Sequence, residues 1–235
     1  MSEFSDKLSA DVGLIRSGTW SERDGTVVPD TDDLGLDNDG VWLEATMLYS
    51  DLADSTELAM LDQQTAAEVY KAFLLVCSRI IKQCNGEVRS FDGDRVMGVF
   101  IGKRKNSNSA LAALKINWAF KNAIIPTFSS YDIFKPGGFV LRHTTGVDTG
   151  RVLVARAGVR VDNDLVWVGR APNAAAKLSS IRNPKYQTFI TSDVFTQLAE
   201  DAKIWNGKDM WTKLSWSEGP DGCNEVYGSA WTWSP

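Results

Sequence analysis

The sequence predicts an α+β domain in which helices cover one face of an antiparallel sheet. Three observations carry this: short strand-like apolar runs alternate with longer segments of helical spacing, a tight-turn pair Asp92-Gly93 separates two of the runs, and Pro and Gly punctuate the rest. At 235 residues, 43% of them hydrophobic, the chain can bury one sizeable core.

Residues 1–40 are rich in Asp, Gly, Ser and Thr, with acidic residues at Asp30, Asp32, Asp33, Asp37 and Asp39, and are expected to form an N-terminal extension. Residues 41–235 form the main domain. The first strand, Leu43 to Ser50, places Leu43, Ala45, Met47 and Tyr49 on one face and ends at Asp51 before the polar turn 51–56. A helix from about Thr65 to Cys84 follows, since Val69, Phe73, Val76, Cys77 and Ile80 recur at helical spacing and Gly86 supplies a stop.

Strand-like runs at 88–91 and 96–101 flank Asp92-Gly93 as a hairpin, with Asp94 where the second strand begins. A second helix spans about Ser109 to Ile125, stopped by Pro126, and a strand from Phe139 to Asp148 follows the Pro136-Gly137-Gly138 break. Strands near 152–154 and 165–168 lead to a helix from Pro172 to about Ile181, proline being favoured at a first helical position. The order βαββαβ describes a split βαβ, ferredoxin-like sandwich.

Composition excludes several classes of function. The net charge of -5 argues against sequence-independent nucleic-acid binding, which needs a basic face to displace counterions. No apolar run reaches a membrane span, and the N-terminus lacks the basic and apolar regions of a secretory signal, so a cytoplasmic location is expected. Three cysteines, none in a CxxC pair, indicate neither a disulfide framework nor a zinc site. With one histidine, His143, expected half-buried beside Phe139, Leu141 and Val147, a histidine-based triad has no good source. Neither GxxxxGK[ST] nor GxGxxG occurs.

The carboxylates carry the chemistry. Asp51 and Asp94 lie at the ends of two strands that this fold pairs, and two hard carboxylates together suit Mg²⁺ or Mn²⁺. Taken singly each has a plainer reading, Asp51 as a turn cap and Asp94 as hairpin polarity. Asn173 and Lys177, four residues apart, share a helix face and can meet one ligand, although a solvated face explains the same spacing.

Three segments, LYSDLADST (48–56), GEVRSFDGDRVMGVF (86–100) and TTGVDTGRVLVARAG with VWVGRAPNAAAKL (144–178), resemble in order the motifs of class III adenylate and guanylate cyclase domains. The resemblance covers about residues 41–190. It implies two metal ions per site, Mg²⁺ or Mn²⁺, held by Asp51, Asp94 and the Leu52 carbonyl, with Thr56 at the triphosphate, Asn173 orienting the ribose and Lys177 where the family usually has Arg. Lys brings a point charge rather than a two-pronged fork. It also implies a homodimer, the aspartates of one copy facing the Asn and basic residue of the other.

Base selection departs from both purine patterns. The family position that carries Lys for adenine or Glu for guanine is Ser90, and its partner is Val166. With Tyr49 and Arg89 nearby and a Trp-rich C-terminal segment, the chain resembles the pyrimidine cyclases of bacterial antiphage defence, the Pycsar systems. That resemblance implies UTP, with CTP second, as substrate, Tyr49, Arg89 or Ser90 near the base, and a separate effector reached only through the cyclic nucleotide. Lys208 and Lys213 are further candidates for triphosphate contact. A purine cyclase, a silent nucleotide-binding regulator and a Trp-bearing interaction module are the alternative readings.

Overall fold

The computed structural model describes residues 2–220 and 223–235. In chain order the elements are α1 (Glu3–Ser17), β1 (Ser21–Asp24), β2 (Asp39–Leu52), α2 (Ser55–Leu61), α3 (Gln63–Gln83), β3 (Glu87–Asp92), β4 (Arg95–Phe100) and α4 (Lys105–Ala119). A π-helical turn (Phe120–Ile124) and α5 (Ile125–Phe128) follow, then β5 (His143–Gly158), β6 (Asn163–Val168), α6 (Arg170–Ser179), β7 (Thr188–Thr191) and α7 (Ser192–Thr196). The chain ends with β8 (Ile204–Trp205), β9 (Lys208–Asp209), β10 (Thr212–Ser215) and β11 (Glu225–Ser229).

Two compact units emerge, Met1–Leu43 with Arg151–Gly169 and Glu44–Gly150 with Arg170–Pro235. In the first, β1 pairs in parallel with the start of β2, and the end of β5 pairs antiparallel with β6. Residues 1–40 are more ordered than their composition suggests. α1 begins at Ser2, whose side chain accepts from the Ser5 N–H, yet it buries none of its residues, which is why no core-facing pattern marks it in the sequence.

The second unit holds the core and the strand order β10-β11-β7-β5-β2-β4-β3. β2–β4, β3–β4, β7–β11 and β10–β11 are antiparallel. β5–β7 is parallel, the pairing that a crossover helix, here α6, makes possible. Val69, Phe73, Cys77 and Ile81 of α3 and Ala110, Ala113, Leu114 and Ile116 of α4 pack on Leu48, Val96, Phe100, Val147 and Ile190 of the sheet. Burying such side chains is worth about 1.5–3 kcal/mol each for the larger ones.

Element ends differ from the sequence expectations for identifiable reasons. α3 starts at Gln63 because Asp62 caps it, accepting from the Gln64 and Thr65 N–H groups. Its end uses Asn85 in the left-handed region (φ 60°), while Gly86 is required because a Cβ there would lie 2.5 Å from the Phe100 ring. Pro126 does not stop the helical run. The π turn re-phases it so that the proline falls at the first positions of α5, where no N–H is needed. The strand expected at 139–148 begins instead at His143 and continues through the region of 152–154 as one element.

Asp94 sits in the turn after Gly93, one residue before β4. α6 starts at Arg170, so Pro172 is its third residue rather than its first. The late tryptophans are largely structural: Trp211 and Trp216 are buried, and Trp231 and Trp233 pack against the core. Among the described residues no helix is long and apolar enough to cross a membrane.

Candidate active site

β2 runs through the sheet and delivers Asp51 and Leu52 to its end, with Asp51 only 7% exposed. The Ala53 N–H donates to the Arg142 carbonyl at 2.8 Å, and Asp54 turns the chain through the left-handed region (φ 59°) into α2. Arg142 clamps the same turn through its guanidinium, 2.6 Å from Asp54 Oδ2. The Ser55 carbonyl accepts from the Tyr70 hydroxyl at 2.6 Å, tying the turn to α3. Thr56 is exposed on the first turn of α2.

Two cations face the Asp51 carboxylate. Arg95 Nε lies 3.4 Å from Oδ1, and Arg182 lies 3.4 Å from Oδ2 and 3.5 Å from the Leu52 carbonyl oxygen. Burial nevertheless dominates, raising the Asp51 carboxyl above its ordinary range. Arg95 opposes this, the negative charge of Asp94 adds to it, and Arg182 opposes it again. Asp94 is thus close enough for the two carboxylates to repel. Its Oδ2 is buried without a hydrogen-bond partner among the described residues.

That orphaned oxygen, the charged pressure on Asp51 and the Leu52 carbonyl form a set of hard oxygen donors that fits Mg²⁺ or Mn²⁺. Among the described residues no group of three or more His, Cys, Asp and Glu side chains stands ready for a metal. Two carboxylates and a carbonyl suit an ion that keeps waters and substrate phosphates in its remaining positions.

Beside the carboxylates runs a row of side chains across three strands. Met97 on β4 is the register partner of Tyr49 on β2 and of Ser90 on β3, and the Tyr49 hydroxyl meets Met97 Sδ at 2.9 Å. Tyr49 lies two residues before Asp51 and so shares its strand face. Burial raises the Tyr49 phenol above its usual range, Arg95 lowers it and Asp92 raises it, leaving a protonated donor at neutral pH. A bulge between Val88 and Ser90 contains Arg89, whose guanidinium is 3.6 Å from Glu87.

α6 carries the second set. Ala171, Pro172, Ala174, Ala175 and Leu178 are buried, leaving Asn173 and Lys177 exposed one turn apart. The helix lies close on β5 because Gly146 has no side chain: a Cβ there would be 2.3 Å from the Ala175 carbonyl oxygen. Arg170 fixes its N-terminal end by binding Asp148 at 3.3 Å and Asp193, while Asp148 accepts from the Thr191 hydroxyl at 2.5 Å. Lys177 borders a cavity of about 250 Å³ with Ser180, Ile181, Trp216 and Glu218.

Among the described residues no hydrogen bond or ion pair joins Asn173 or Lys177 to Asp51 or Asp94. Val166 lies on β6 opposite Ala155 and is 41% exposed. Lys213 is held by Glu225 at 2.7 Å, and Lys208 is exposed on β9.

No protein-family model matches the chain. It is 44% identical over 232 residues to a uridylate cyclase of Xanthomonas perforans, across 97% of both chains. It is 41% identical over 239 residues to a uridylate cyclase of Rhodovulum sp. (strain MB263), across 99% of this chain and 98% of the relative. The chain belongs to the uridylate cyclase family. It is a nucleotide cyclase. Its fold matches that of the solved adenylyl cyclase CyaB from P. aeruginosa, with a TM-score of 0.66 at 20% identity over 81% of this chain and 95% of that one.

Four arginines of this uridylate cyclase relative escaped the sequence reading. Arg95 had a signal in hindsight, since it directly follows Asp94 in the hairpin. Arg142, Arg170 and Arg182 had none, because their carboxylate partners Asp54, Asp148 and Asp51 lie 88, 22 and 131 residues away in sequence. His143 is also more buried than expected, 2% exposed against Phe73 and Phe120, with both ring nitrogens unpartnered among the described residues. Burial, aided by the charge of Lys121, lowers it to a pKa of about 3.

Proposed function

We propose that this cyclase converts UTP into 3′,5′-cyclic UMP and pyrophosphate, in a homodimer whose two sites each draw residues from both copies. The observation that carries the reading is the 44% identity to a uridylate cyclase along 97% of both chains. The paired carboxylates of Asp51 and Asp94 support it.

Bound by Asp51, Asp94 and the Leu52 carbonyl, two Mg²⁺ or Mn²⁺ ions would supply acidification of the ribose 3′-hydroxyl and charge neutralisation at the triphosphate. The 3′-hydroxyl gives its proton to solvent water, its oxygen attacks the α-phosphorus in line, the bond to the bridging oxygen breaks, and pyrophosphate leaves with its electron pair. Asn173 orients the ribose through its amide. Lys177 offsets the charge that develops on the α-phosphate, and Thr56 meets the triphosphate at the turn. The Asp54 turn, clamped by Arg142 at 2.6 Å, keeps Asp51 and Thr56 in register.

No protein nucleophile or histidine base enters the scheme, in keeping with a His143 held neutral and enclosed by aromatic rings. Tyr49, Arg89 and Ser90 surround the base: hydroxyls that both donate and accept match the mixed edge of uracil. Asn173 and Lys177 are exposed on α6, where a second copy can bring its Asp51 and Asp94 to them.

The resemblance to the Pycsar cyclases supports a role as a messenger-producing enzyme in bacterial antiphage defence, working in the cytoplasm. A separate effector would read the cyclic nucleotide, with neither nucleic acid nor membrane engaged by the cyclase itself. The test is to give the purified protein Mn²⁺ and an equimolar mixture of UTP, CTP, ATP and GTP, identifying products by mass. Cyclic UMP is expected as the main product; a purine product in equal or greater amount rejects the base assignment.

A further inference from the structure

Next to the metal-binding end of β2 lies a cavity of about 300 Å³ that the proposed reaction does not use. Its lining combines buried polar groups, cations and apolar side chains. Deep in it stand His143 and Asn117, 2% and 0% exposed. Neither His143 nitrogen has a hydrogen-bond partner among the described residues, nor does Asn117 Oδ1. The Asn117 orientation is fixed, because its amide nitrogen donates to the Trp231 carbonyl at 2.8 Å and the Ala230 carbonyl at 3.4 Å. A neutral imidazole brings one donor and one acceptor, and Oδ1 a second acceptor.

Buried polar groups are almost always hydrogen-bonded, so the presence of these unpaired groups together in one cavity calls for a polar guest. The lining also carries the cations Lys121, Arg142 and Arg182 and, among the described residues, no carboxylate. Among the described residues Lys121 meets neutral acceptors, Gln187 Oε1 at 3.3 Å and the Ala230 carbonyl at 3.4 Å. An apolar wall includes Phe120, on the π-helical turn Phe120–Ile124. Such turns recur at functional sites, because they displace side chains from regular helical packing.

We infer that this cavity is a second ligand site that takes a nucleoside monophosphate, cyclic or open. The ring of such a molecule offers both donors and acceptors to His143 and Asn117, its flat apolar face suits Phe120, and its phosphate suits the cations Lys121, Arg142 and Arg182. A fatty acid supplies no donor for the buried end. Inorganic phosphate supplies no body for the apolar wall. The volume is at the low end of small-ligand sites, roughly 300–1,000 Å³, which fits one mononucleotide.

The site communicates with the catalytic residues through Arg182, which lines the cavity and also pairs with Asp51 at 3.4 Å. A bound phosphate competes with Asp51 for that guanidinium. If the cyclic form binds, the product of the proposed reaction acts back on the metal-binding carboxylate.

The test is calorimetric titration of the full chain in EDTA with cyclic UMP, UMP and inorganic phosphate as separate probes. Needing neither metal nor turnover, it stands apart from the cyclase reading. At least one nucleotide is expected to bind at one site per chain with a Kd below about 1 mM, and phosphate at least about tenfold more weakly. Lys121→Met, on an exposed side chain that leaves the fold intact, and Asn117→Ala each weaken that binding about tenfold or more. Binding by cyclic UMP identifies product feedback, and binding by UMP alone an open mononucleotide. Absence of nucleotide binding, phosphate binding of equal strength, or binding that survives both substitutions overturns the inference.

Discussion

Arg182 lies 3.4 Å from Asp51 Oδ2 and 3.5 Å from the Leu52 carbonyl oxygen, so one guanidinium occupies two of the three donors assigned to the metals. A cation at that position competes with an incoming ion. Arg182→Met is therefore expected to lower the Mn²⁺ concentration needed for half-maximal activity by roughly two- to fivefold, the scale of a partly exposed ion pair. Metal titration of the initial rate checks it.

Asp51→Asn and Asp94→Asn remove a charge while keeping the side-chain shape. Each is expected to lower turnover by about a thousandfold or more, since in the proposed site both metal functions depend on the pair. The thermal midpoint should stay within about 4 °C of the parent, the equivalent of roughly 1 kcal/mol in a chain of this size. Asp51 is mostly buried rather than an exposed edge carboxylate, but burial already disfavours its charged form, so a neutral amide at this place relieves that cost.

Lys177→Ala is expected to lower kcat more than it raises KM if, as proposed, its contact strengthens as charge builds in the transition state. Lys177→Arg should keep activity within about tenfold of the parent, the fork replacing the point charge. Steady-state kinetics on UTP separate the two effects.

The buried His143 gives stability a distinct pH dependence. Its folded pKa is about 3 against 6.5 for the free side chain, so between these values the unfolded chain binds the extra proton. Stability is therefore full above pH 6.5 and falls as the pH drops toward 3, by roughly 2 kcal/mol at pH 5. Urea denaturation at pH 8 and pH 5 should show this loss, and His143→Gln should remove most of it.

Much of the molecule was legible where the signal is local. The alternation from Leu43 to Tyr49, the helical spacing of Val69, Phe73 and Cys77 and the Asp92-Gly93 turn all mark elements that formed, since each depends on neighbours within a few residues. The π turn at Phe120–Ile124 was not legible, because the run of apolar residues continues through it and Pro126 reads as a stop. α1 was hidden by having no buried face.

The same division holds for the site. Asp51 and Asp94 stand out because each ends or adjoins a strand. Their arginine partners do not, since the Arg182–Asp51 pair and the Arg142–Asp54 pair exist only after the sheet has assembled. The unpaired nitrogens of His143 are a tertiary fact of the same kind: the residue's apolar neighbours suggest burial, but only the packed structure shows what it lacks.

The central claim is that Asp51 and Asp94 of one copy act with Asn173 and Lys177 of another to cyclise UTP. The most direct measurement mixes Asp94→Asn with Lys177→Ala protein, each inactive or nearly so alone, and follows cyclic UMP after subunit exchange. A shared site predicts recovery toward about a quarter of parent activity, because half the dimers are mixed and each mixed dimer rebuilds one of its two sites. Failure of the mixture to exceed the sum of its parts, once exchange has been shown with tagged subunits, contradicts the claim.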